Sequence, residues 1–129
     1  MNKYVTDTHA LVRYLNGDKV YNDTVHSIFE EADQGKNIIL IPSVVLFEIG
    51  YLSEKRRIPI TLHNMSSILE DSLNYIEARL SIEIINAAFE IKDIPELHDR
   101  LIAGTAYYLS LPLITNDKVI LKSRYVTTV

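Results

Sequence analysis

The stretch His98–Asp117, HDRLIAGTAYYLSLPLITND, constrains the fold more than any other part of the chain. Leu101, Ile102, Thr105, Ala106 and Leu109 recur at helical spacing, and Ala103, Gly104 and Ala106 permit close backbone packing. Asp99 is placed to cap this helix, because its carboxylate can accept from the orphan N–H groups of the first turn. Ser110-Leu111-Pro112 breaks it, since proline supplies no N–H and disfavours helix in the residue before it. Leu113-Ile114-Thr115 then reads as a short buried strand and Asn116-Asp117 as a turn. One αβ unit therefore carries a carboxylate at each end.

The rest of the chain repeats that alternation. Lys3–Thr6 is an expected strand, followed by a helix over His9–Leu15 that ends near Asn16-Gly17. A helix over Asp23–Gln34 presents Val25, Ile28, Phe29 and Ala32 on one stripe, with Gly35 at its C-cap. Ile38–Ile41 is a continuous β-branched-rich run of the kind that a parallel strand covered on both faces requires. Ser43 is positioned to cap a helix from Val44 to about Arg56, in which Glu48 stands on an otherwise apolar face. Thr61–Leu73 is a further helix, Asn74–Ala78 a weaker strand, and Ser81 caps a helix through Phe89. Strands alternating with helices imply an α/β sandwich around a mostly parallel sheet. Sites in such sheets lie beyond the carboxyl ends of the strands, where strand order reverses. Asp7 follows the first strand and Asp117 the fourth, so they share a crevice if those strands are neighbours.

At 129 residues with no repeat or linker, the chain is expected to form one domain with a real core. It has no cysteine, which removes disulfides and thiolate metal sites and fits a reducing cytoplasm. The start, MNKYVTDTHA, has no long apolar run, and Ile38–Leu52 is interrupted by Pro42, Ser43 and Glu48, so neither a signal peptide nor a membrane span is expected. The net charge of −4 argues against non-specific nucleic-acid binding through a basic field. It leaves room for a metal-dependent nuclease, whose own acids contribute to that charge.

Each acid has a structural reading. Asp7 and Asp99 can cap helices, Asp117 can serve a turn, and a buried Arg100 could satisfy Glu48. Read together, Asp7, Glu48, Asp99 and Asp117 form a carboxylate cluster, which repels itself unless a hard divalent cation binds it. Mg²⁺ or Mn²⁺ prefers oxygen ligands, retains waters, and lowers the pKa of a water that attacks a phosphodiester. The acids are far apart in sequence, so spacing alone does not establish the cluster. His9 and His98 neighbour two of them; a histidine there could shuttle a proton or touch phosphate, or simply be an exposed histidine with no role, since hard Mg²⁺ sites favour oxygen. The Lys55-Arg56-Arg57 run complements a helix C-terminus or contacts an RNA backbone.

Four blocks of residues stand out: Tyr4–His9, YVTDTH; Ser43–Ile49, SVVLFEI; Asp99–Ala106, DRLIAGTA; and Pro112–Asp117, PLITND. Their order spans nearly the whole chain. Together they resemble the PIN-domain family, specifically the small toxin ribonucleases of VapBC toxin–antitoxin systems. The resemblance implies a single PIN domain over residues 1–129, a three-layer α/β/α sandwich with sheet order 3-2-1-4-5, and Asp7, Glu48, Asp99 and Asp117 as the catalytic, metal-binding acids. It also implies RNA cleavage with one or two Mg²⁺ or Mn²⁺ ions, a homodimer, and a cognate VapB-type antitoxin. Thr115 falls at a family position that can hydrogen-bond an acid or a water. The Asp-Pro that often precedes the Asp-Arg pair is here Pro95-Glu96-Leu97-His98, which leaves Glu96 and Asp93 unassigned. Gly104 stands where alanine is commoner, a conservative packing change. The alternative is a PIN-fold module with little nuclease activity that acts by binding RNA or protein. A phosphohydrolase of the haloacid-dehalogenase kind wants a second aspartate at position 9, where this chain has histidine.

Overall fold

A computed structural model describes all residues 1–129. The elements are β1 (Asn2–Thr6), α1 (Thr8–Leu15), α2 (Asp23–Asp33), β2 (Asn37–Pro42), α3 (Ser43–Glu54), α4 (Leu62–Asp71), β3 (Tyr75–Ala78), α5 (Ile82–Glu90), α6 (Leu97–Leu109), β4 (Leu113–Ile114) and α7 (Lys118–Leu121). All strand pairs are parallel, in the order β3-β2-β1-β4. Helices pack on the sheet, with α2 and α3 against β2, α4 against β3 and α6 against β1. This is the expected α/β sandwich, with the chain winding from β1 through β2 to β3 and then returning to β4 on the other side of β1. No helix is long and apolar enough to cross a membrane.

The expected fifth strand is reduced to one bridge. Leu113 N–H donates to Thr127 O at 2.8 Å and Val129 N–H to Leu113 O at 3.1 Å, so only the Leu113–Thr128 bridge forms. The reason lies in β4, which is two residues long. Pro112 before it has no N–H, and the backbone turns away after Thr115 toward the α7 cap. The order 3-2-1-4 holds, and its fifth position has no strand.

Caps explain most boundaries. Asn22 and Ser81 accept from the backbone N–H three residues on, and Thr61 and Asn64 form a reciprocal capping box. Gly17 and Gly35 take the left-handed conformations, φ +85° and +79°, that end α1 and α2. Two expected caps are corrected. Ser43 is the first residue of α3, not its cap, and its hydroxyl donates to Glu77 Oε2 at 3.1 Å and accepts from Leu80 N–H at 3.0 Å, tying α3 to the end of β3. Asp99 lies inside α6, whose cap is Glu96. The core gathers Leu11, Phe29, Ile39, Ile41, Ile49, Met65 and Ile114, all fully buried. Gly104 is more constrained than a conservative change suggests, since an added Cβ would lie 2.8 Å from Ala88 Cβ and 2.9 Å from its Cα.

Candidate active site

β1 and β4 are adjacent and parallel, with Thr6 opposite Ile114, so the reversal of strand order falls between them. Asp7 leaves the carboxyl end of β1, and Asp117 follows β4 by way of Thr115 and Asn116. α3 contributes Glu48 from its middle, and α6 contributes Asp99 from its first turn. All four acids line one crevice of about 280 Å³, together with Thr8, His9, Glu96, His98, Ile102 and Ile120. Residues 110 positions apart in sequence thus meet because two parallel strands end side by side.

Three of the acids are held by donors. Asp7 caps α1, accepting from Ala10 N–H at 2.9 Å, and both its oxygens receive the Tyr21 hydroxyl. Asp117 caps α7, with Oδ1 accepting from Val119 and Ile120 N–H, both at 3.0 Å. Glu48 Oε1 accepts from the Thr8 hydroxyl at 3.0 Å. Arg100 does not pair with Glu48: its Nε donates to Ile94 O at 2.7 Å and its guanidinium lies over the Phe89 ring. The capping readings of Asp7 and of Asp117 at its turn are therefore correct, and both side chains also face the crevice.

Asp99 differs, because Glu96 has taken over its capping role. Glu96 Oε2 accepts from Asp99 N–H at 2.7 Å, while Oε1 is 2.9 Å from His98 Nδ1. The Asp99 side chain is left to the crevice. Burial, then Asp117, Glu96, Glu48 and Asp7, raise its pKa from 3.8 to about 6. Asp7 and Glu48 are also raised, chiefly by burial. The Ala10 N–H, Thr115, Tyr21 and His9 oppose the rise at Asp7; the Thr8 hydroxyl, His98 and His9 oppose it at Glu48. Thr115 also accepts from Asp117 N–H at 3.1 Å, so its hydroxyl connects two of the acids.

A family model described as the PIN domain matches residues 4–124. The chain belongs to the PIN domain family. Solved structures with the same fold include VapBC2 from Rickettsia felis bound to a DNA fragment from its promoter, with a TM-score of 0.70, 23% identity, and coverage of 98% of this chain and 97% of that one. DNA-bound VapBC from Salmonella typhimurium has a TM-score of 0.67 at 17% identity, covering 100% of this chain and 98% of that one. FitAcB from Neisseria gonorrhoeae gives 0.67 at 14% identity, covering 97% and 95%. A sequence search of curated proteins finds no significant match.

The four acids of this PIN domain suit a hard cation, since each offers carboxylate oxygen to the crevice. No three of its acids or histidines are close enough to hold one ion together. That is compatible with Mg²⁺, which keeps several waters and takes only one or two carboxylates directly. Tyr21 and Thr8 are the polar contacts that sequence reasoning missed. Thr8 adjoins Asp7 but had no mark of its own, and Tyr21 sits in an irregular loop without periodicity. Asp93 is removed from the crevice, its carboxylate accepting from the Ser123 hydroxyl at 2.9 Å and Arg124 N–H at 2.8 Å.

Thr8 carries a prediction of its own. Thr8→Val keeps the side chain's shape and removes the hydroxyl donor to Glu48. The Glu48 pKa, already raised by burial, should rise further in the metal-free protein, as followed by carboxyl ¹³C NMR. An unmoved Glu48 titration would assign Thr8 to packing alone.

Proposed function

We propose that residues 1–129 form a single PIN domain acting as a metal-dependent endoribonuclease, the toxin of a VapBC-type toxin–antitoxin pair. The observation that carries this reading is the crevice itself, where carboxylates from four separate elements meet at the sheet's reversal point. Holding four acids together in that way works against the fold unless a cation occupies the site. Asp7, Glu48, Asp99 and Asp117 would share Mg²⁺, or Mn²⁺ in its place, one or two of them by direct contact and the others through the ion's waters. When bound, the ion neutralises charge on the phosphodiester and lowers the pKa of the attacking water.

The protein's own residues do the rest. Asp117 Oδ1 is committed to the α7 cap, which fixes the plane of the carboxylate and leaves Oδ2 for the ligand. Glu48, with Oε1 on Thr8, presents Oε2 to orient a water. Asp99, free of hydrogen bonds from the helix end, can accept the water's proton at a carboxylate oxygen. The PIN family match supports a nuclease, and the VapBC neighbours support a VapB-type antitoxin partner; on this reading the toxin works as a homodimer that cuts RNA in the cytoplasm.

The test incubates purified protein with total RNA in Mg²⁺, Mn²⁺ or EDTA. Discrete fragments are expected with either metal and none with EDTA. Intact RNA from folded, metal-loaded protein free of antitoxin would instead favour a PIN module that binds without cutting.

A further inference from the structure

The hydroxyl of Tyr21 lies 3.1 Å from Asp7 Oδ1 and 3.1 Å from Oδ2. Its backbone adopts φ +52°, a region that a bulky side chain seldom enters and keeps only where its neighbours over-determine it. Those neighbours are present on both sides. The Arg13 guanidinium donates twice to Lys19 O, at 3.1 and 2.9 Å. Val20 is fully buried, and its N–H donates to His26 Nδ1 at 3.2 Å. Asn22 is committed to the cap of α2. The loop between α1 and α2 is thus clamped around Tyr21 and delivers its hydroxyl to an aspartate only 7% exposed.

A hydroxyl equidistant from both carboxylate oxygens shares one proton between them and stands where a chelated cation would have to sit. Oδ1 is further engaged by Ala10 N–H. What remains for a ligand is the outward side of Oδ2. Mg²⁺ demands a small octahedral shell and binds through few carboxylate contacts, whereas Ca²⁺ is larger, takes more ligands and readily accepts both oxygens of one carboxylate. Resting on the metal-site reading above, we propose that Tyr21 is a positioning residue that keeps Asp7 a one-oxygen ligand and so sets the site's preference for Mg²⁺ over Ca²⁺.

Tyr21→Phe keeps the ring and its packing and removes only the hydroxyl. The experiment loads metal-free protein with Mn²⁺, follows bound Mn²⁺ by electron paramagnetic resonance, and displaces it with Mg²⁺ or Ca²⁺, without RNA. The affinity for Ca²⁺ relative to Mg²⁺ should rise about tenfold in the variant, the scale of one hydrogen bond to a charged group. A loosened loop would weaken both ions in proportion and leave that ratio unmoved. An unchanged ratio, with or without a parallel loss of affinity, overturns the proposal, as does wild-type protein that binds none of the three ions. Because no RNA is present, the readout is separate from nuclease activity. A shifted ratio in a protein that leaves RNA intact keeps Tyr21's role and removes the nuclease reading; cleavage with an unshifted ratio does the reverse.

Discussion

Replacing Asp99 with asparagine should cripple RNA cleavage while making the metal-free protein more stable. The first effect follows from Asp99's place among four acids with no donor holding it back from the crevice. Losing a ligand and proton acceptor there should lower the cleavage rate by roughly 10²–10⁴-fold in a single-turnover assay. The second follows from its pKa, about 6 in the fold against 3.8 for an aspartate in water. Below pH 4 both states keep the proton and the fold carries no penalty. Between pH 4 and 6 the unfolded chain ionises first, so stability falls as pH rises, and above 6 the loss is complete. The side chain is partly open to solvent, which screens the charge, so the loss is on the order of 1 kcal/mol, less than the shift alone would give. Asp99→Asn, neutral throughout, should therefore melt a few degrees higher at pH 7 without metal. Saturating Mn²⁺ should reverse the order, since ligand at 100 times Kd stabilises the wild type by about 2.7 kcal/mol. Melting curves with and without Mn²⁺ test this, and a variant that melts lower in both conditions would show that Asp99 is structural.

The same residue marks the boundary of what the sequence could say. The alternation of short apolar strands with amphipathic helices was enough for the parallel sandwich, because burial on two faces leaves so few arrangements for runs such as Ile38–Ile41. The four acids were legible as a set only through the PIN resemblance. Nothing local places Asp7 and Asp117 together, since that depends on β1 and β4 being neighbours. Glu96 was invisible as a cap because glutamate is an uncommon residue there, so the role went to Asp99, three residues on. Ser43 misled in the same way: a serine before an apolar helix has the form of a cap, and only the proximity of β3 shows its hydroxyl turned toward Glu77 and Leu80. Tyr21 had no pattern to betray it. Its role depends on a left-handed backbone and a clamped loop, both products of tertiary structure. The missing fifth strand came from overextending a family expectation past a two-residue β4.

Gly104→Ala tests the packing that carries Asp99. In a free helix the change would stabilise by about 1 kcal/mol, because alanine is the better helix former. Here the new methyl would meet Ala88 Cβ at 2.8 Å, its Cα at 2.9 Å and its N at 3.0 Å. Two of those three atoms are backbone, so no rotamer change in α5 relieves the contact, and α5 must move away from α6. Overpacking of this kind costs about 1–3 kcal/mol and should outweigh the propensity gain, lowering the urea midpoint at unchanged slope. The displacement of α6 should also reach the crevice, because Asp99 lies about one and a half turns from Gly104 along the same helix and Ile102 lines it. Adding Ala88→Gly removes only the Cβ contact, leaving the Cα at 2.9 Å, so the double variant should recover part of the lost stability and not all of it. Full recovery would mean that side chain alone sets the α5–α6 distance. A stabilised single variant would mean that the helices are free to separate, and that the close approach at Gly104 is not what holds Asp99 in place.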